Sequence, residues 1–202
     1  MKFKPWYLII FFVLAFIIYV SIPDNTKSDL QKSNQDSISV INSRSQKDES
    51  FRTLEDSPFQ EKASFKGLKY YEYQSKWKVD FSLKKVKNAE PISIKMTDGT
   101  EEKMIFFGLI SAEIEGEKLE LELFQHDNGN FFLAFKDLSA PIETYGGGRY
   151  IDIPAEQLKG DHLIVDFNQA YFPYCAYNST YACPVPPKNN RIAIKVDAGE
   201  RF

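Results

Sequence analysis

From Lys78 to Val196 apolar residues recur at every second position, in short runs divided by tight turns. A period of two belongs to the strand, where alternate side chains point to opposite faces of a sheet. Lys78-Val79-Asp80-Phe81-Ser82-Leu83 alternates, as does Ile92-Ser93-Ile94-Lys95-Met96. The Asp98-Gly99 pair that follows is a hairpin signal, and Lys103 to Ile114 is its return strand. Glu115-Gly116-Glu117 turns the chain into Leu119, Leu121 and Leu123, which alternate with Glu120 and Glu122. Asp127-Asn128-Gly129 turns it again into Asn130 to Phe135. Arg149 to Ile153, His162 to Phe167 and Arg191 to Val196 complete the set. The pattern predicts a mainly β fold: an antiparallel meander of about eight strands closing as a barrel or sandwich. No helix-length pattern lies between strands, which argues against a parallel α/β sheet.

The ends of the chain read differently. An uncharged run from Trp6 to Ile22 follows Lys2 and Lys4. As a helix it would span roughly 25 Å, slightly less than a hydrocarbon core of about 30 Å. Trp6, Tyr7 and Tyr19 sit at its ends, where aromatic rings favour the interface. It leaves through Tyr19-Val20-Ser21-Ile22-Pro23, with no small-residue cleavage pattern. Residues 1–22 are therefore expected to be an uncleaved membrane anchor, rather than a cleaved signal peptide. The short basic head places the N-terminus in the cytoplasm and the remainder on the exported side. Residues 23–48 are rich in Ser, Asn, Gln, Lys and Asp and are expected to be a disordered linker. A β-rich domain then occupies 49–202. It opens with short helices that carry Phe51, Leu54 and Phe59, with a restart at Ser57-Pro58.

A net charge of −3 argues against nucleic acid as a partner, since a phosphate-binding surface needs a basic face. The membrane and a small anionic ligand, envelope component or protein are the expected partners. No cofactor fingerprint is present, and no metal is expected. The histidines, His126 and His162, are isolated, and Cys175 and Cys183 stand at C-x7-C, which is not zinc spacing. In an exported domain the two cysteines read as a disulfide, worth roughly 2.5 kcal/mol in the chain-entropy model. A free nucleophilic cysteine is the rival, and no base is evident beside it.

The unusual residues concentrate between Thr144 and Asn190. Tyr145-Gly146-Gly147-Gly148-Arg149 enters a strand from a glycine triplet. Its backbone N–H groups would make a nest beside Arg149, suited to a carboxylate or phosphate. The alternative is a tight bend with Arg149 paired to an internal acid such as Asp166. Asp166 and Asn168 share one face of a strand end, where they either line a site or cap the loop that follows. With Tyr171 and Glu200 these residues form the candidate site. Three functions remain open. One is a binding domain that selects an anion through Arg149. The second is a hydrolase using Asp166 or Glu200 as base and Arg149 as electrostatic stabiliser. The last is an assembly protein whose polar cluster satisfies itself.

An ordered set of motifs covers roughly Asp48 to Phe202: Ser57-Pro58-Phe59, Phe65-Lys66-Gly67-Leu68, Phe135-Lys136-Asp137, Thr144 to Tyr150, Asp166-Phe167-Asn168 with Ala170-Tyr171, Pro173 to Tyr177, Cys183-Pro184, Asn190-Arg191 and Ala198-Gly199-Glu200. In these the chain resembles the bacterial domain-of-unknown-function family 1684. Phe172 stands where that family commonly has Asn, and Pro141 where it commonly has Gly. The resemblance implies a domain and no activity.

Overall fold

A computed structural model of the chain describes residues 10–14, 24–59 and 61–202. The chain divides into two units, Met1–Ile41 and Asn42–Phe202. In the first, residues 10–14 are helical and the long helix α1 begins. No helix among the described residues is long and apolar enough to cross a membrane. The expected anchor at 1–22 lies outside the described residues, apart from 10–14.

Helix α1 runs from Asp24 to Thr53, so the linker expected to be disordered to residue 48 is helical. No glycine or proline interrupts 24–53, and the helix runs unbroken. Its last part belongs to the β unit. There Arg44, Lys47, Asp48 and Phe51, spaced i, i+3, i+4 and i+7, turn away from solvent. A search for apolar periodicity misses this stripe because three of its four members are charged. The expected restart at Ser57-Pro58 is absent as well. Ser57 instead donates its hydroxyl to the carbonyl of Phe51 (2.6 Å), closing the turn after α1. A single 3-10 turn at Lys62–Ser64 follows.

Ten strands follow: β1 (Lys69–Tyr70), β2 (Lys78–Lys85), β3 (Pro91–Lys95), β4 (Glu101–Ile114), β5 (Glu117–Gln125), β6 (Phe131–Phe135), β7 (Arg149–Ile153), β8 (Leu158–Lys159), β9 (His162–Asp166) and β10 (Glu200–Arg201). Eight of them form one antiparallel sheet in the order β7-β6-β5-β4-β2-β9-β8, with β3 beside the first half of β4. The end strands β7 and β8 do not pair with each other, so the sheet is a half-barrel and neither a closed barrel nor a sandwich. The outer edge of β7 is occupied by a short antiparallel bridge between Tyr150 and Tyr171. β1 and β10 pair as a separate two-stranded ribbon.

Residues 191–196, expected as a strand, alternate in burial but form no ladder. Ile192, Ile194 and Val196 enter the core. Their backbone is satisfied piecemeal: Ile192 N–H donates to the Lys136 carbonyl, and Val196 N–H to the Asp137 carboxylate. The period of two thus reports the buried face and not the hydrogen-bond partner.

The concave face carries the main core, with Trp77, Phe81, Ile110, Leu121, Leu133, Phe135, Val165 and Phe167 nearly water-free. A second cluster lies on the convex face, where Phe124, Phe132, Ala134 and Tyr150 pack under Cys183, Tyr171 and Tyr181. β6 is buried on both faces, as its unbroken Phe-Phe-Leu-Ala-Phe run requires. A bulge between Phe106 and Gly108 re-aims β4. A Cβ on Gly108 would lie 2.4 Å from the Lys84 carbonyl oxygen, so glycine is the residue that lets the two strands approach.

Candidate functional site

Arg149 opens β7 on its concave face, against Phe135. It is only 1% exposed, and its guanidinium is spent on the fold. It donates to the carbonyls of Val196 (2.9 Å), Ala198 and Glu200 (3.3 Å), and to the Asp137 carboxylate at 3.0 Å. Asp137 in turn accepts from Ser139 and from the Val196 N–H. Arg149 does not line the convex pocket described below, and its bonds make it a buried clamp on residues 196–200. Its acid partner, Asp137, stands two residues past β6 and shares the inward parity of Phe131, Leu133 and Phe135.

The glycine triplet forms a close-packed turn. Gly148 donates its N–H to the Tyr145 carbonyl (3.0 Å), and Gly146 accepts the Lys136 ammonium (2.6 Å). Gly148 has φ +100°, and a Cβ there would lie 2.6 Å from the Phe135 carbonyl oxygen. The Tyr145 ring covers Gly147. Asn168 is equally committed. Its side chain accepts from Gln74 N–H (3.0 Å) and donates to the Gln74 carbonyl (2.9 Å), as a neighbouring strand would. Asp166 accepts from the backbone and side-chain N–H groups of Asn168 (3.0 and 2.8 Å) and so caps the 3-10 turn after β9. Arg44 of α1 reads this corner, donating to the carbonyls of Tyr71 and Asn168.

Glu200 leads elsewhere. Its carboxylate accepts from Phe172 N–H (2.9 Å) and from the Lys47 ammonium (2.8 Å). Burial pushes the Glu200 carboxyl up, against the pull of Lys47. Burial also lowers the Lys47 ammonium, against the pull of Glu200. Lys47 lies over the Tyr171 ring at 4.7 Å and the Phe51 ring at 5.2 Å. Beyond it opens a pocket of about 570 Å³ on the convex side of β7. α1 supplies Lys47, Phe51 and Leu54; β7 supplies Tyr150 and Asp152; the chain after β9 supplies Tyr171, Tyr174, Tyr181 and Cys183.

The polar groups of this pocket are few and connected. Tyr171 donates its hydroxyl to Asp152 (2.7 Å), and Asp152 meets His126 Nε2 at 3.5 Å. Burial, and secondarily Asp152, pushes the Tyr171 phenol well above its ordinary range. Tyr150 donates to the Pro184 carbonyl, which fixes the pocket floor. Among the described residues no group of three His, Cys, Asp or Glu is set to hold a metal ion.

The expected disulfide is not formed: Cys175 and Cys183 are both free thiols. They adjoin all the same. Cys183 Sγ accepts from Cys175 N–H at 3.2 Å. Burial pushes the Cys183 thiol up to about 12, which holds it protonated rather than as the thiolate that disulfide chemistry needs.

Of the residues picked from sequence, Tyr171 lines the pocket and Glu200 reaches it through Lys47. Tyr145, Gly146, Gly147, Gly148, Arg149, Asp166 and Asn168 lie outside it. Lys47, Asp152 and Tyr181 were missed. The one available signal for Lys47 was its spacing from Arg44 and Phe51 within a segment read as a spacer.

An antiparallel half-barrel with a helix-walled aromatic pocket on its convex side is the class that these features define. The chain belongs to the family described as protein of unknown function (DUF1684), whose model matches residues 63–201. It is also similar to an uncharacterized protein from Haloarcula marismortui, solved by solution NMR. The two are 28% identical with a TM-score of 0.67, over 89% of this chain and 98% of that one. No curated protein matches the chain.

Proposed function

We propose that this domain binds a small molecule with a ring-shaped or apolar body and one carboxylate, seated in the convex pocket with its anion at Lys47. The observation that carries this reading is that Lys47 is the one cation among the described residues lining an aromatic pocket, with its ammonium over the Tyr171 and Phe51 rings and the Glu200 carboxylate at 2.8 Å beneath it. A pocket of about 570 Å³ suits a small ligand. Tyrosine and phenylalanine faces take planar or sugar rings, and the ammonium supplies the polar contact that fixes orientation. Asp152, exposed at the rim, is placed for a hydroxyl on the same ligand.

The hydrolase alternative finds less support. Arg149 and Asp166 are both consumed by backbone contacts, and Glu200 is beneath Lys47 and away from the open volume. The test is a calorimetric screen of aromatic and sugar carboxylates against the full chain. Binding is expected in the wild type and at least tenfold weaker in Lys47→Met/Glu200→Gln, which removes the cation without stranding a buried charge. Equal affinity in the two proteins would sink the proposal. The uncharged run from Trp6 to Ile22 further supports a membrane tether with the domain exported. Release of the chain into the supernatant by an alkaline wash of membranes would contradict that part.

A further inference from the structure

Cys175 and Cys183 frame the segment that walls the pocket opposite α1. Tyr181, Ala182 and Cys183 of that segment line the cavity, together with Tyr174 just before it. Cys183 is firmly held. Its N–H donates to Thr97 Oγ1 (3.0 Å), and its carbonyl accepts from Thr97 N–H (2.9 Å). Cys175 sits on a 3-10 turn after Pro173, more exposed than Cys183, with its thiol within hydrogen-bonding reach of it. Between them Ser179, Thr180 and Ala182 are exposed, and Asn178 bonds only within its own turn. Tyr177 packs on Phe51 and Phe59 (5.3 and 5.2 Å between ring centroids), and Tyr181 donates to the Asp56 carbonyl (3.1 Å), so the lightly held part of the wall is the turn at Asn178 to Thr180.

We propose that Cys175 and Cys183 are a reversible thiol–disulfide pair, and that closing the bond fixes this wall and restricts entry to Lys47. The meaning for function rests on the pocket reading above; the bond itself does not. The co-reactant is a small-molecule disulfide. The Cys175 thiolate attacks one of its sulfurs, forming a mixed disulfide and releasing one thiol. The Cys183 thiolate then attacks Cys175 Sγ and expels the second thiol, and both cysteine protons pass to solvent or to the departing thiolates. Two protein thiols are oxidised and one external disulfide is reduced to two thiols. Burial of Cys183 makes the second step the slower one, and it accelerates as pH rises.

The full chain, reduced and then incubated with oxidised glutathione at mildly alkaline pH, tests this by intact mass and unreduced peptide mapping. The expected product has lost two hydrogens, carries no glutathione and links Cys175 to Cys183; dithiothreitol restores the starting mass. A glutathione adduct that accumulates without the cross-link overturns the pairing. Trinitrobenzenesulfonate labelling of Lys47, mapped by peptide, reads the wall. Labelling is expected to slow several-fold in the cross-linked protein and to be indifferent to oxidised glutathione in Cys175→Ser. Equal rates in reduced and cross-linked protein overturn the restriction. Neither readout requires a ligand, so a failed ligand screen leaves both results intact.

Discussion

Lys47 and Glu200 are joined at 2.8 Å, yet each is shifted against its own charge. For both, the loss of water outweighs the attraction of the partner. The signs follow. The Glu200 carboxyl is raised in the fold, so its stabilising contribution is full below its unfolded value and fades as pH rises through the folded one. The Lys47 ammonium is depressed, so its contribution is present only above its unfolded value near 10.5 and is lost as pH falls through the folded one. Near neutrality the pair is thus held at a cost to stability. Lys47→Met alone should destabilise by about 3 kcal/mol, because it strands a buried carboxylate. Glu200→Gln should do so by a similar amount, and the double variant by far less than the sum. Urea denaturation of the four proteins measures the coupling; additivity within error would refute it. The Arg149 guanidinium, by contrast, is shared among three carbonyls and the Asp137 carboxylate.

Turns and strands were legible in the sequence to different degrees. The alternation in β2, β4, β5 and β9, and the Asp98-Gly99 hairpin, follow from local rules and are found where those rules put them. Residues 191–196 were not, because period two is a statement about burial, and there the hydrogen bonds go to Lys136 and the Asp137 side chain. The candidate site was half legible for a similar reason. Arg149 and Asn168 are unusual residues in unusual surroundings, which marks them as important without saying for what. Lys47 is an ordinary residue in a polar segment, and its role arises only when α1 meets residues far along the chain. The β6–β7 connection gives a test at this scale. Gly148 combines φ +100° with backbone 2.6 Å from where a Cβ would stand. Gly148→Ala should cost about 3 kcal/mol or more, from the left-handed strain and the clash together. Gly99→Ala has the strain without the clash, since nothing lies within 4 Å of its Cβ position, and should cost roughly 1 kcal/mol. Equal losses of thermal stability in the two variants would contradict the packing described for the triplet.

For the molecule as a whole, the buried tyrosines of the convex face and of the β1 ribbon set an alkaline limit. Burial raises the phenols of Tyr70, Tyr71, Tyr150 and Tyr171, with Tyr71 pushed up to about 12. A raised phenol contributes stability that is full below its unfolded value near 10 and is lost as pH climbs through the folded one. Lys47 acts in the opposite sense over part of that range, but the raised phenols, which include those of Tyr145 and Tyr174, outnumber it. The urea midpoint should therefore fall between about pH 10 and pH 12. Tyrosinate absorbance should lag behind that of the unfolded chain and then rise together with loss of structure. A midpoint that is flat across this window would show that these phenols are not buried in solution.

The clamp at Arg149 also imposes an order in time. Every strand of the large sheet has been made by Asp166, and Asp137 with it. The acceptors at Val196, Ala198 and Glu200 come later, and so does the carboxylate that answers Lys47. A nascent chain halted at Lys195 would hold Lys47 without its carboxylate, and Arg149 with Asp137 but without the three carbonyls that it bonds. Such a chain should be cut by a pulse of protease far faster than one halted beyond residue 201. Translation that stops short would then produce an intermediate marked for removal, with no stable half-product left in the cell.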